Sequence, residues 1–115
     1  MVIYLAHPYT KRPEKNRIKA EHLLKDLTLN MPQHTFISPI HNFGMLAGVI
    51  TEGQIMDHCK KLIDKSDKVI FAPEWMDSAG CREEMEYCIN TSKRYAILMK
   101  AYSQSRAVQS GLNRR

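Results

Sequence analysis

Short apolar runs of strand length alternate with amphipathic helical patterns along this chain, and that alternation limits its fold more than any other feature. Residues 2–6 form a continuous apolar run, which is typical of a strand buried on both faces. Further short runs at residues 34–37, 68–72 and 95–99 predict three more strands. The helical patterns between them predict a parallel sheet with right-handed crossovers and helices on both faces.

Three helices are predicted between these strands. The first spans about Pro13 to Asn30, the second follows a capping box formed by Thr51 and Gln54, and the third begins near Ser78. Their apolar stripes are formed by Ala20, Leu23, Leu24 and Leu27 in the first, Ile55, Met56, Cys59, Leu62 and Ile63 in the second, and Cys81, Met85, Cys88 and Ile89 in the third.

We therefore expect one flavodoxin- or Rossmann-like α/β domain over residues 1–100, a three-layer sandwich with a four- to five-stranded parallel sheet. A chain of 115 residues, 43% of them hydrophobic, can bury one core but not two. Residues 101–115 are expected to form a basic tail, a short helix or an arm that contacts a partner subunit. The uncharged stretch 38–50 is expected to be the longest loop, and its length indicates a functional role.

The formal net charge of +5 is distributed unevenly. Residues 51–92 carry five basic and nine acidic side chains, whereas residues 93–115 carry six basic and no acidic ones. An acidic middle is a poor surface for a phosphate backbone, so we do not expect nucleic acid binding.

The sequence shows neither a signal peptide nor an apolar run long enough to span a membrane, so membrane contact is not expected. Its cysteines, Cys59, Cys81 and Cys88, are odd in number and lack CxxC spacing, which predicts neither a disulfide framework nor a zinc site. We expect buried, reduced thiols in a cytoplasmic protein without a bound metal.

Residues 78–84 carry the strongest chemical signal. Ser78 and the amides that follow it form a predicted helix start, where Gly80 permits close approach, and such a start suits an anion such as phosphate. Glu84 lies only about 100° from Met85 around the helix, at the edge of the apolar stripe. A half-buried carboxylate there is a candidate nucleophile or base, the alternative being a solvated charged face.

The first strand delivers a second group of candidates, Tyr4, His7 and Tyr9, to the same carboxyl edge of the sheet. Ligands bind at that edge in doubly wound folds, where loops 7–13, 38–51 and 73–80 would converge. The alternative is that Tyr4 is a core residue and His7 an ordinary polar loop residue. His41 and Asn42 give only a weak signal.

Three motifs resemble the nucleoside 2-deoxyribosyltransferase superfamily. They are Tyr4-Leu5-Ala6-x-Pro8-Tyr9, Ser66-Asp67-x-Val69-Ile70 and Trp75-x-x-Ser78-x-Gly80-x-x-x-Glu84. The likeness covers roughly residues 2–99 and is strongest to small, often phage-encoded members and to the deoxynucleoside 5′-monophosphate N-glycosidases. It implies that Glu84 attacks the anomeric carbon of deoxyribose, displaces the nucleobase, and is released by water or a second base.

The resemblance also implies roles for other residues. Ser78 stands where the transferases carry an aspartate and the monophosphate hydrolases carry a serine, which favours a nucleotide 5′-phosphate. Tyr4 or Tyr9 would position the sugar, His7 would contact the substrate, and Trp75 would stack on the base.

One departure from the superfamily concerns its second carboxylate. Counting back from Asp67 places Cys59 where an aspartate usually stands. The second acid is therefore Asp57, Glu52, or absent.

The expected function is hydrolysis or transfer of the N-glycosidic bond of a (deoxy)nucleoside 5′-monophosphate, with no cofactor, by a homodimer or higher oligomer. Such cleavage passes through an oxocarbenium-like state that a carboxylate stabilises and traps. One alternative is a protein that binds a nucleotide-derived ligand without turning it over. Another is a glycohydrolase of NAD or nucleotide sugars that uses the same glutamate.

Overall fold

Four parallel strands form one sheet in the computed structural model, which describes residues 1–99. The strands are β1 (Val2–Ala6), β2 (Thr35–Ile37), β3 (Lys68–Phe71) and β4 (Tyr95–Ile97), in the order β2-β1-β3-β4. This is the strand order of flavodoxin-like sheets, so the predicted α/β class is confirmed. The predicted basic tail at residues 101–115 lies outside the described residues.

The α-helices among the described residues are α1 (Pro13–Asn30), α2 (Pro39–Phe43), α3 (Glu52–Lys65) and α4 (Ala79–Asn90). Alternate residues of β1 point to opposite faces of the sheet. Ile3 and Leu5 pack with side chains of α1, whereas Tyr4 and Ala6 pack among side chains of α3 and α4. Burial on both faces explains why β1 is an uninterrupted apolar run.

The predicted capping box opens α3. The Thr51 hydroxyl accepts a hydrogen bond from the Gln54 amide at 3.1 Å, and the Gln54 side chain accepts one from the Thr51 amide at 2.9 Å. These two bonds satisfy amide groups that a helix start otherwise leaves without partners, and they fix where α3 begins.

Residues 38–50 are not the irregular loop expected from the sequence. They contain α2 and a short 3-10 helix at Gly44–Leu46. Pro39 occupies the first turn of α2, where its fixed φ favours a helix start and its missing amide hydrogen costs nothing. A five-residue helix is too short to show helical periodicity in its sequence, which is why it was missed.

Ile89 was predicted to belong to the buried stripe of α4, but its side chain is 59% exposed. The buried residues of α4 are Cys81, Glu84, Met85 and Cys88, which follow the spacing i, i+3, i+4, i+7. The centre of the buried face therefore lies towards Glu84 and away from Ile89.

The three cysteines are free thiols and are buried, as the sequence predicted. Within the described part of the chain, no helix is both long and apolar enough to cross a membrane. Residues 1–99 also contain no group of three His, Cys, Asp or Glu side chains arranged to hold a metal ion.

Candidate functional site

A cavity of about 450 Å³ lies at the carboxyl edge of the sheet. Residues 7–10, which follow β1, line one part of it, and residues 39–50, which follow β2, line another. Residues of α3 as far as Cys59 and of α4 as far as Glu84 complete the wall. The three loops expected to converge at this edge thus contribute residues to one cavity.

Glu84 lies at the wall of this cavity and is only 5% exposed. The hydroxyl of Tyr4, 80 residues away in sequence, donates a hydrogen bond to Glu84 Oε2. Within residues 1–99, Glu84 Oε1 accepts no hydrogen bond. One carboxylate oxygen is therefore held in place, and the other is available to a ligand.

Burial raises the pKa of Glu84 to about 7, because a charged carboxylate loses its hydration there. The hydrogen bond from Tyr4 opposes this effect, and the nearby charge of Glu83 adds to it. A carboxyl group that titrates near neutral pH can serve as a nucleophile when ionised and as an acid when protonated. Burial also raises the pKa of Tyr4 well above its usual value, so Tyr4 remains a hydrogen-bond donor.

Two thiols lie at the same cavity wall, those of Cys59 and Cys81. Burial raises the pKa of Cys59 to about 11 and that of Cys81 to about 12. Because the thiolate is the reactive form of cysteine, neither residue is suited to nucleophilic attack at neutral pH. Glu84 is the better candidate for that role.

The start of α4 forms a polar side of the cavity. Ser78 caps the helix by accepting a hydrogen bond from the Cys81 amide at 3.1 Å. The first amides of a helix have no partners within the helix, so those of Ala79 and Gly80 are suited to bind an anion. A Cβ at Gly80 would meet the Met56 methyl at 3.5 Å and the Ser78 hydroxyl at 3.8 Å, both ordinary contacts, so packing of the fold does not require a glycine here.

The remaining residues predicted for substrate binding lie in different places. His7 and Tyr9 line the cavity. Tyr4 is fully buried and does not line it, and acts on the site through Glu84. Trp75 also lies outside the cavity wall and packs against Phe71, with ring centroids 5.5 Å apart.

The two candidates for a second acid are separated by the geometry of α3. Glu52, its first residue, lines the cavity, whereas Asp57 is exposed and does not. Cys59, which the resemblance aligns with the superfamily's aspartate, also lines the cavity. Glu52 is therefore the one of the two candidate acids that lies at the site.

The cavity also has an apolar side that sequence reasoning assigned only in part. Ile40 and Phe43 of α2 contribute to it together with Ile55 and Met56 of α3. The helical pattern had placed Ile55 and Met56 on an apolar face, but no residue pattern singled out Ile40 or Phe43. The available signal was the lack of charge across residues 38–50.

The charged side chains that line the cavity are those of Glu52, Glu83 and Glu84. No lysine or arginine among residues 1–99 lines it. The described wall therefore offers carboxylates, hydroxyl groups and backbone amides to a ligand, but no cationic side chain.

Fold and site together define a class: a parallel α/β domain whose carboxyl edge holds a cavity with a buried glutamate and an open helix start. The chain belongs to the family described as "Domain of unknown function (DUF4406)", whose model matches residues 1–97. The matched region contains the four described strands and each cavity-lining residue found among residues 1–99. No curated protein and no solved structure matches the chain significantly.

Proposed function

We propose that this protein cleaves the N-glycosidic bond of a (deoxy)nucleoside 5′-monophosphate, by hydrolysis or by transfer to a second base, with Glu84 as the nucleophile. The observation that carries the proposal is the setting of Glu84. Glu84 is 5% exposed and lies at the wall of a cavity of about 450 Å³, with Oε2 bound by Tyr4 and no hydrogen bond to Oε1 among residues 1–99.

Two displacements at the anomeric carbon account for the reaction. Glu84 Oε1 bonds to C1′ as the bond to the base nitrogen breaks, and that electron pair leaves with the base. The departing base takes up a proton from solvent. Water, or a second base, then attacks C1′ and gives up a proton to solvent, while the C1′–O bond breaks and its electron pair returns to the Glu84 carboxylate. Because each step inverts the carbon, the configuration is retained overall.

The resemblance to the nucleoside 2-deoxyribosyltransferase superfamily supports this proposal. Ser78, Gly80 and Glu84 come from its most specific motif, and all three line the cavity. Tyr4 comes from a second motif and donates its hydrogen bond to Glu84. Residues of two motifs that are far apart in the chain thus lie close together, which supports the proposal.

The start of α4 is the proposed site for the 5′-phosphate. The lining residues among 1–99 include no lysine or arginine, so the phosphate would be bound by the amides of Ala79 and Gly80 and by the Ser78 hydroxyl. The apolar side formed by Ile40 and Phe43 would then face the base.

A homodimer or higher oligomer in the cytoplasm is part of the proposal. Met45 and Val49 belong to the segment that borders the cavity, and they are 77% and 71% exposed. Neighbouring apolar side chains that are this exposed often mark a protein contact. The three buried thiols suit a reducing compartment.

The second candidate function is a protein that binds a nucleotide without cleaving it. The lack of a buried second acid favours this candidate. Cys59 occupies the position expected for that acid, and Glu52, the candidate acid that lines the cavity, is exposed. A glycohydrolase of NAD or nucleotide sugars would use the same cavity and the same Glu84.

Release of free base measured by chromatography tests these proposals. The substrates are deoxynucleoside monophosphates, ribonucleotides, deoxynucleosides and NAD, and the proteins are wild type, Glu84→Gln and Glu86→Gln. Glu86 is an exposed glutamate of the same helix that does not line the cavity, so its variant is a matched control. We expect release by wild type and Glu86→Gln but not by Glu84→Gln. Saturable binding without release by all three proteins would favour the binding protein instead.

A further inference from the structure

His7 directly follows β1 and lines the cavity, although only 8% of its surface is exposed. Its Nδ1 lies 2.8 Å from the carbonyl oxygen of Pro8. A carbonyl oxygen can only accept a hydrogen bond, so Nδ1 must carry the hydrogen. In a neutral imidazole this leaves Nε2 with a lone pair and no proton.

Among residues 1–99, Nε2 of His7 has no hydrogen-bond partner. The charged groups that act on the ring are Glu74 and Lys19, which pair with each other at 3.5 Å. Burial lowers the pKa of His7 and Lys19 lowers it further, while the bond to Pro8 and the charge of Glu74 oppose them. The net effect lowers the pKa of His7 below its usual 6.5, which favours the neutral ring near neutral pH.

We infer that His7 is a specificity-determining residue whose Nε2 accepts a hydrogen bond from a hydroxyl or amino group of the bound nucleoside. The identity of the ligand in this inference rests on the proposed function. The tautomer and the position of the ring at the cavity wall do not rest on it.

This assignment also restricts how a nucleotide can lie in the cavity. A lone pair on Nε2 attracts hydrogen-bond donors and repels an anion, so a phosphate group is disfavoured directly beside His7. The phosphate is then left with the start of α4, where Ala79 and Gly80 offer amides. The nucleoside portion, which carries donors, lies towards His7.

Two substitutions separate recognition from a purely structural role. His7→Gln supplies a side-chain oxygen that can replace the Nε2 acceptor, whereas His7→Phe keeps a planar ring without any acceptor. Both lose the bond to Pro8. In a Glu84→Gln background, which prevents turnover, we expect His7→Phe to bind deoxynucleosides about five- to tenfold more weakly by calorimetry, the worth of one hydrogen bond. His7→Gln should recover most of that affinity, and an equal loss in both variants would overturn the inference.

Nitrogen NMR of the imidazole rings reports the same group directly. Free protein should show His7 protonated on Nδ1 and unprotonated on Nε2 at neutral pH. Adding the common 2′-deoxynucleosides or their 5′-monophosphates to the Glu84→Gln protein should shift the Nε2 resonance as it accepts a hydrogen bond. A proton on Nε2 in the free protein, or an Nε2 resonance that no probe shifts, would overturn the inference.

The outcomes distinguish this inference from the proposed function. If wild-type protein releases base but no probe shifts Nε2, the proposed function stands and the role of His7 fails. If Nε2 shifts on binding while wild type releases no base, the role of His7 stands and the glycosidase proposal fails.

Discussion

At the scale of single residues, the Glu84 carboxyl group is subject to two opposing effects. Burial favours its neutral form and raises its pKa to about 7, while the hydrogen bond from Tyr4 favours the carboxylate. The group is therefore near its titration point at neutral pH. Both its reactivity and its effect on stability should depend on pH.

The pH dependence of activity tests this setting. If ionised Glu84 is the nucleophile, kcat/KM should rise with pH through about 7 and then reach a plateau. This rising part is the acidic limb of the pH profile. Tyr4→Phe removes the hydrogen bond that lowers the pKa of Glu84, so the limb should move to higher pH. Tyr87→Phe, which removes a hydrogen bond to Asp64 outside the cavity, should leave it unchanged. A limb unaffected by Tyr4→Phe would contradict the assignment.

The free energy of unfolding should also depend on the ionisation of Glu84, but it should fall as the pH rises, whereas activity should increase. Because the folded-state pKa of Glu84 is raised above its usual 4.5 to about 7, folded protein keeps a proton that unfolded protein loses between these values. The stabilisation is complete below pH 4.5 and is lost as the pH rises through 7.

Urea unfolding across this range measures the effect. Relative to Glu84→Gln, the free energy of unfolding of wild type should fall by at most about 1.4 kcal/mol per pH unit. Glu86→Gln should keep the wild-type pH dependence. Parallel curves for wild type and Glu84→Gln would show that Glu84 does not titrate in this range.

The residue types at the site were predictable from sequence, but their contacts were not. The helical pattern placed Glu84 at the edge of an apolar stripe, and the predicted strand β1 placed Tyr4 near the carboxyl edge of the sheet. Their hydrogen bond joins residues 80 apart, which no local pattern specifies. Trp75 and Phe71 are close in sequence, but they lie in a strand end and the turn after it, where no periodic pattern predicts that their rings pack together outside the cavity wall.

At the scale of elements, α4 provides both the buried glutamate and the open amides, and its first turn depends on Ser78. The Ser78 hydroxyl caps the helix through its bond to the Cys81 amide. The same residue lines the cavity next to the proposed phosphate site. Substitutions at Ser78 can therefore separate helix stability from ligand preference.

Two variants make that separation. Ser78→Ala should lower the free energy of unfolding by about 1 kcal/mol, because the cap is lost. Ser78→Asp should stay close to wild type, because aspartate caps a helix start well and its charge suits that end of the helix. The new carboxylate should repel a phosphate, however, and lower the ratio of kcat/KM for monophosphates to that for nucleosides at least about tenfold. An unchanged ratio would exclude phosphate binding at α4.

Long elements were predictable because their patterns are long. The eighteen residues of α1 and the capped start of α3 lie where periodicity and capping placed them. The five-residue α2 is too short to show a helical period. Ile89 follows the helical spacing of Cys81, Met85 and Cys88, yet its side chain is exposed. The true face of α4 includes a carboxyl group, which a pattern based on apolar residues counts as surface.

At the scale of the whole molecule, the proposed oligomer is based on the uneven charge and on exposed apolar residues beside the cavity. The described wall carries carboxylates and no lysine or arginine, while residues 93–115 carry six basic side chains and no acidic ones. The apolar side chains of Met45 and Val49 lie in the segment that borders the cavity. The proposed oligomer would cover these side chains.

Sedimentation tests the oligomer. Wild type should sediment as a dimer or larger species, and the double variant Met45→Lys, Val49→Lys should sediment as a monomer because two buried charges would oppose the contact. Leu29→Lys is a matched control, since Leu29 is 77% exposed on the last turn of α1, at the opposite edge of the sheet. A monomeric wild type would contradict this part of the proposal.

The central claim is that Glu84 bonds covalently to the sugar, and mass spectrometry of the quenched reaction tests it most directly. Wild-type protein mixed with a substrate that releases base should gain the mass of one sugar unit, with its phosphate when the substrate is a monophosphate. Peptide mapping should place that mass on Glu84, and Glu84→Gln should gain none. Release of base with the adduct on another residue, or undiminished release by Glu84→Gln, would contradict the account.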